Sequence, residues 1–168
     1  MGFFDKLFGG KHDAAPKFAG EKMVVKAPID GTVIPLEQIP DETFATAILG
    51  PGCGIEPTGD TVYAPFDGTV TQIATTLHAV GITSNDGIEL LIHVGMDTVD
   101  MKGQGFTVLV KENQKVTAGT PLLKVDLDAI RAAGHPTATA IIVTDGAGDE
   151  VKMLAEGDVA PGTPLFKV

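Results

Sequence analysis

Apolar and polar residues alternate along Ile88-Glu89-Leu90-Leu91-Ile92-His93-Val94. A period of two puts Leu90, Ile92 and Val94 on one face of a strand, and Glu89, Leu91 and His93 on the other. The run stops at Gly95-Met96-Asp97-Thr98-Val99. Before it, the strand-like run Thr76-Leu77-His78-Ala79-Val80-Gly81-Ile82 carries a second histidine, and Ser84-Asn85-Asp86-Gly87 between the two has hairpin-turn chemistry. Loop length sets the register. A loop of Asn85-Asp86 places His78 directly opposite His93, and a loop of Asp86-Gly87 makes them diagonal neighbours. Either brings the rings within reach, since cross-strand β-carbons lie roughly 4.5–5.5 Å apart and diagonal ones about 7–8 Å. A three-residue loop splits the faces unless a bulge restores them.

The same strand-and-turn pattern recurs elsewhere, twice over. Ala27-Pro28-Ile29-Asp30-Gly31-Thr32-Val33 returns as Ala64-Pro65-Phe66-Asp67-Gly68-Thr69-Val70. Val116-Thr117-Ala118-Gly119-Thr120-Pro121-Leu122-Leu123-Lys124-Val125 returns as Val159-Ala160-Pro161-Gly162-Thr163-Pro164-Leu165-Phe166-Lys167-Val168. Asp-Gly and Gly-Thr-Pro are turn sequences leading into strands, so each repeat encodes a strand-turn-strand corner. Two diverged copies of a β motif closed face to face give an all-β fold, an antiparallel β-sandwich or flattened barrel. Short helices fit Asp41 to Ala47, with Asp41 as cap, and Asp126 to Ala133, stopped by Gly134 with Pro136 beyond.

Residues 1–21 read as a separate tail ahead of a domain spanning residues 22–168. Phe3, Phe4, Leu7 and Phe8 can share one side of a two-turn helix that Gly9-Gly10 would stop, giving either a loose terminus or an anchor docking on a membrane or a partner. The 168 residues suffice for one self-standing core. With no Trp and one Tyr, small aliphatic side chains must fill it. A net charge of −10 argues against nucleic acid and for basic protein partners or simple solubility. The one cysteine, Cys53, excludes an internal disulfide and suits a reducing, cytoplasmic location. No run nears the roughly 18 apolar residues that span a bilayer, and no secretory signal is present.

A histidine on a mixed face is usually packed or solvated, but two brought together across a hairpin point to chemistry. Neutral imidazole is a nucleophile near pH 7 because its ordinary pKa is about 6.5. One ring nitrogen must attack, so the other carries the proton and donates it, and carbonyls of the Gly95 turn are placed to accept. A phosphoryl group on His93 would lie beside His78, whose N–H can donate to a phosphate oxygen. Thr76 shares the face of His78 and can fix its tautomer. Asp41 and Asp97 have no evident local partner and are candidates for docking a basic surface. His12 in the tail and His135 at a helix stop are given no chemical role, and Glu89 reads as a solvated edge residue.

The stretch Leu91-Ile92-His93-Val94-Gly95-Met96-Asp97-Thr98-Val99 resembles the active-site signature of glucose-type enzyme IIA of the bacterial sugar phosphotransferase system. The resemblance extends through Asp41-x-x-Phe44-Ala45, Pro57-Thr58-Gly59, Ala64-Pro65-x-Asp67-Gly68, Thr76-x-His78-Ala79 and Lys102-Gly103-x-Gly105-Phe106. It implies that His93 takes a phosphoryl group from HPr, as a transient phosphohistidine without a cofactor, and passes it to an enzyme IIB domain. It also implies that His78 stabilises the phosphate, Thr76 orients His78, and the Gly95 carbonyl holds His93. Phe44, Ile48, Leu49, Leu91 and Val99 match an apolar docking rim with Asp41 and Asp97 as acidic contacts, a rim that can also bind regulatory targets. Glu42-Thr43, Ala74 and Gly81 depart from the family pattern and thin the rim.

Two other readings share some of these features. A biotinyl or lipoyl carrier has similar strand corners and would use Lys102, but that lysine lacks the second flanking methionine of a biotinyl site. A zinc protein would want His-x-His, whereas Leu91 and Gly95 flank His93 at that spacing; no intrinsic metal site is expected, although a partner's carboxylate could complete one on His78 and His93.

Overall fold

A computed structural model describes residues 23–168, so the expected tail lies outside the described residues. Strands β2 (Gly31–Pro35), β3 (Gly52–Pro57), β5 (Gly68–Ile73), β6 (Ala79–Ser84), β7 (Glu89–Val94), β9 (Lys115–Val116), β11 (Thr139–Asp145) and β13 (Asp158–Val159) form one antiparallel sheet. Its order is β13-β2-β3-β11-β7-β6-β5-β9. Strands β1 (Val24–Lys26), β12 (Lys152–Met153) and β14 (Pro164–Lys167) make a three-stranded sheet ordered β1-β14-β12. Strands β4 (Thr61–Tyr63), β8 (Phe106–Val108) and β10 (Pro121–Val125) make another, ordered β4-β10-β8. The result is the expected antiparallel β-sandwich.

The sequence repeats explain this order, because the two copies are strapped crosswise. The first Ala-Pro-x-Asp-Gly corner pairs with the last segment of the chain: Val159 lies opposite Gly31, and Ala27 N donates to Thr163 O at 2.7 Å. Its copy repeats the arrangement with the middle segment: Val116 lies opposite Gly68, and Ala64 N donates to Thr120 O at 2.8 Å. Both glycines are needed for close approach, since a β-carbon would fall 2.3 Å from Glu56 O at Gly31 and 2.1 Å from Thr83 O at Gly68. An approximate two-fold axis therefore runs between the central strands β7 and β11.

Alternation along those central strands divides the core. Leu90, Ile92, Val94, Ile141 and Val143 point inward with Val25, Ile29, Ile55, Ile82, Leu122, Leu123 and Phe166. Aliphatic side chains dominate, as the scarcity of large aromatics requires, and burial of each contributes roughly 1.5–3 kcal/mol. The opposite face carries a second cluster of Ile39, Phe44, Met96, Ala140 and Ile142, with Leu91, Ile34 and Leu36 against it. A 3-10 helix (Leu36–Gln38) and α1 (Glu42–Ala45) contribute to this outer cluster. Asp41 caps as expected, accepting from Thr43 N at 2.8 Å, and Asp126 likewise caps α2 (Leu127–Ala132) through Ala129 N at 3.0 Å.

Candidate active site

His93 stands on the outer face of β7, directly between two alanines. Ala79 of β6 is its cross-strand partner on one side and Ala140 of β11 on the other. Small neighbours leave room for a second ring, and His78 fills it. The ring centroids are 4.7 Å apart with planes at 84°, edge to face.

The hairpin takes neither two-residue register but the three-residue loop, which splits the faces unless an irregularity restores them. Ala79, not His78, opposes His93, and Ser84 N bonds to Ile88 O at 2.8 Å, so the loop holds three residues, Asn85 to Gly87. In a regular strand that register would send the two histidines to opposite faces. His78 escapes because it lies just before the first residue of β6, after Leu77 in the left-handed region at φ 67°. The irregular backbone re-aims the ring while Val94 N still donates to His78 O at 2.9 Å. Leucine rarely adopts positive φ, which is why the pattern of residues did not reveal the twist.

Hydrogen bonds fix both rings. His93 Nδ1 lies 2.9 Å from the Gly95 carbonyl. A carbonyl only accepts, so Nδ1 carries the proton and Nε2 keeps its lone pair. His78 Nδ1 lies 2.9 Å from Thr76 Oγ1. Gly95 takes φ 74°, where a β-carbon would meet Thr98 Cγ2 at 2.5 Å and the Pro136 carbonyl at 3.0 Å. Phe44 is only 5% exposed, and its ring sits 4.9 Å from that of His93. Phe106 backs His78 at 6.4 Å.

Electrostatics keep both imidazoles neutral. Burial pushes His93 down to about 4, with the neighbouring His78 adding to the shift; the Gly95 hydrogen bond and the Asp41 charge oppose it. Burial also lowers His78, against a hydrogen bond to the Thr76 backbone. Cys53 is buried and pushed up to about 12, so it stays a thiol.

The remaining candidates differ in exposure. Ile48 (77% exposed), Leu49 and Val99 are open to solvent, Leu91 is half-buried, and Phe44 is buried with its ring against His93. Asp97 is exposed, at φ 59°. Asp41 has a local partner after all, the N-terminus of α1. Lys102 is exposed, and His135 lies half-buried beyond α2. Among the described residues, no three His, Cys, Asp or Glu gather as a metal site. Sequence reasoning gave Ala79, Ala140, Pro136 and Phe106 no role in the site. Small residues flanking a histidine become visible only once strand partners are known.

A polar histidine pair with one nitrogen held protonated and the other free is built for group transfer, and similarity to known proteins names the group. The family model for the phosphoenolpyruvate-dependent sugar phosphotransferase system, EIIA 1, matches residues 23–148. The chain belongs to this family. It is 43% identical over 159 residues to the PTS system glucose-specific EIICBA component of Staphylococcus carnosus (strain TM300), covering 95% of this chain and 24% of that protein. It is 42% identical over 146 residues to the PTS system glucose-specific EIIA component of Halalkalibacterium halodurans, covering 84% of this chain and 83% of the relative. Its fold superimposes on the glucose permease IIA from Mycoplasma capricolum with a TM-score of 0.80 at 34% identity, covering 90% of this chain and 98% of the other. The chain thus spans about a quarter of the EIICBA relative. That family is the glucose-type, phosphoryl-carrying EIIA components of the phosphotransferase system. The family match does not favour the biotinyl, lipoyl or zinc readings, and no helix of the described residues is long and apolar enough to cross a membrane.

Proposed function

We propose that His93 is the phosphoryl acceptor, charged by HPr and discharged to an enzyme IIB domain of a glucose-type permease in the cytoplasm. The observation that carries this reading is the Gly95 carbonyl on His93 Nδ1, which leaves Nε2 as the attacking atom. The Nε2 lone pair forms a bond to phosphorus while the bond from phosphorus to the donor breaks and its electron pair leaves with the donor. Nδ1 keeps its hydrogen throughout. When the Thr76 hydroxyl donates to His78 Nδ1, His78 carries its own proton on Nε2, the edge available to hydrogen-bond a phosphate oxygen. Burial of both rings limits hydrolysis of the phosphohistidine and strengthens that bond.

In this reading Ile48, Leu49, Leu91 and Val99 serve as an apolar docking rim, supported by the exposure of Ile48, Leu49 and Val99, and Asp97 as an exposed carboxylate for a basic partner. Phe44 supports His93 from below, and Asp41 serves the helix and the field at His93 together. The same rim serves regulatory targets, and the Phe3, Phe4, Leu7, Phe8 segment a membrane contact near the permease. No cofactor takes part; the phosphoryl group itself is the cargo.

The test is to incubate the protein with phosphoenolpyruvate, enzyme I and HPr, then measure intact mass and map the labile phosphate. One phosphoryl group on the peptide containing His93 is expected. No gain in mass, or a phosphate mapped to another residue, contradicts the reading.

A further inference from the structure

We infer that Thr98 is a positioning residue, one whose buried hydroxyl clamps the turn that decides which nitrogen of His93 is free to react. This rests on the reading of His93 as the acceptor.

The turn after β7 does not hold itself. Gly95 and Asp97 both adopt the left-handed region, at φ 74° and 59°, and Lys102 closes the following 3-10 helix (Thr98–Met101) at φ 55°. Such conformations are disfavoured for residues other than glycine and persist where surrounding contacts fix them. Two peptide planes matter. The Gly95–Met96 plane presents its carbonyl to His93 Nδ1 at 2.9 Å and its N–H to the Pro136 carbonyl at 3.0 Å, so main chain holds the end away from the ring. The preceding Val94–Gly95 plane is held through its carbonyl by the Thr98 hydroxyl, at 2.7 Å. Thr98 is fully buried at 0% exposure, and its Cγ2 fills the space that a side chain on Gly95 would need. Apart from the His93 bond itself, Thr98 supplies the side-chain hydrogen bond among these ties, so it is the one substitution can remove without touching the reacting ring.

Its consequence reaches the reacting atom. A neutral imidazole has two tautomers, and the hydrogen bond made by one nitrogen selects which is present. If the Gly95 carbonyl drifts, the proton can move to Nε2 and the nucleophilic lone pair is lost.

Nitrogen-15 NMR of the imidazole rings reads the tautomer directly. Wild type is expected to show His93 protonated on Nδ1 and, after phosphorylation by HPr, the phosphate on Nε2. In Thr98→Val the Nε2–H tautomer grows, a share of phosphate appears on Nδ1, and kcat for acceptance falls about tenfold with KM for HPr unchanged, the scale of one ordinary hydrogen bond. Thr98→Ser keeps the hydroxyl and restores the wild-type tautomer. Thr98→Ala, lacking the hydroxyl and the added methyl, is expected to behave as Thr98→Val. A natively folded Thr98→Val with an unchanged tautomer and rate overturns the role of Thr98 alone. Failure of both Val and Ala variants to fold also overturns it, making Thr98 a purely structural residue. A wild-type phosphate found away from His93 instead overturns the underlying reading.

Discussion

A histidine that attacks phosphorus near neutral pH must be unprotonated, and burial achieves this at His93. With its pKa at about 4, the ring stays neutral far below the ordinary value of 6.5, so phosphoryl acceptance is expected to hold steady from pH 8 to about 5, measured as initial rate at saturating HPr. The same shift links to stability. The unfolded chain takes up this proton near 6.5 while the folded chain resists until about 4. Stability is therefore fully present above 6.5 and drains away as pH falls toward 4, by roughly 3 kcal/mol at the conversion of 1.36 kcal/mol per pKa unit. His93→Gln should flatten that part of the denaturant-midpoint profile; an unchanged slope would show that the ring is not depressed. The residue types and their partners, His78 with Thr76 and His93 with Gly95, were legible in the sequence, because alternation and turn chemistry are local. The role of Phe44 was not: a phenylalanine near a docking surface reads as exposed until its ring is seen buried against His93.

The element that matters most is the turn leaving β7. Gly95→Ala puts a β-carbon against Thr98 and Pro136 at positive φ, and a loss of about 1–3 kcal/mol is expected, with phosphorylation slowed beyond what the remaining folded fraction explains. Chemical denaturation paired with an acceptance assay checks this. A variant of wild-type stability would mean the turn is free to rearrange. Helix caps give a contrasting case. Asp126→Ala should lose about 1 kcal/mol from its cap on α2 and leave acceptance by His93 unchanged. The helices were readable from the Asp41 cap and the Gly134 stop, since such boundary signals are short-range. The meeting of the two rings across a three-residue loop was not, because it turns on Leu77 at φ 67°, and a leucine gives no sign of left-handed backbone.

Across the whole molecule, the duplication was plain in the sequence, but the crosswise strapping of one copy's corner by the other's C-terminal segment was not. Repeats reveal that corners exist; only long-range pairing, such as Gly31 with Val159 and Gly68 with Val116, says which corner meets which segment. A chain of net charge −10 facing a basic partner should accept phosphate more slowly as salt rises, through the association rate. Salt-independent kcat/KM would argue against the acidic contacts. Deleting residues 1–18 should leave acceptance from HPr intact and weaken transfer to a membrane-embedded permease. Equal liposome binding with and without the segment would contradict that role.

The unequal roles of two histidines on one face are the centre of the account, and assaying the two half-reactions separately tests them most directly. His93→Gln should accept no phosphate from HPr, since no nucleophile remains. His78→Gln should still be phosphorylated, while onward transfer to the IIB domain falls about 10²–10³-fold, the cost of losing one donor at developing charge. A His93→Gln protein that still gains an acid-labile phosphate would reverse the assignment and make His78 the acceptor.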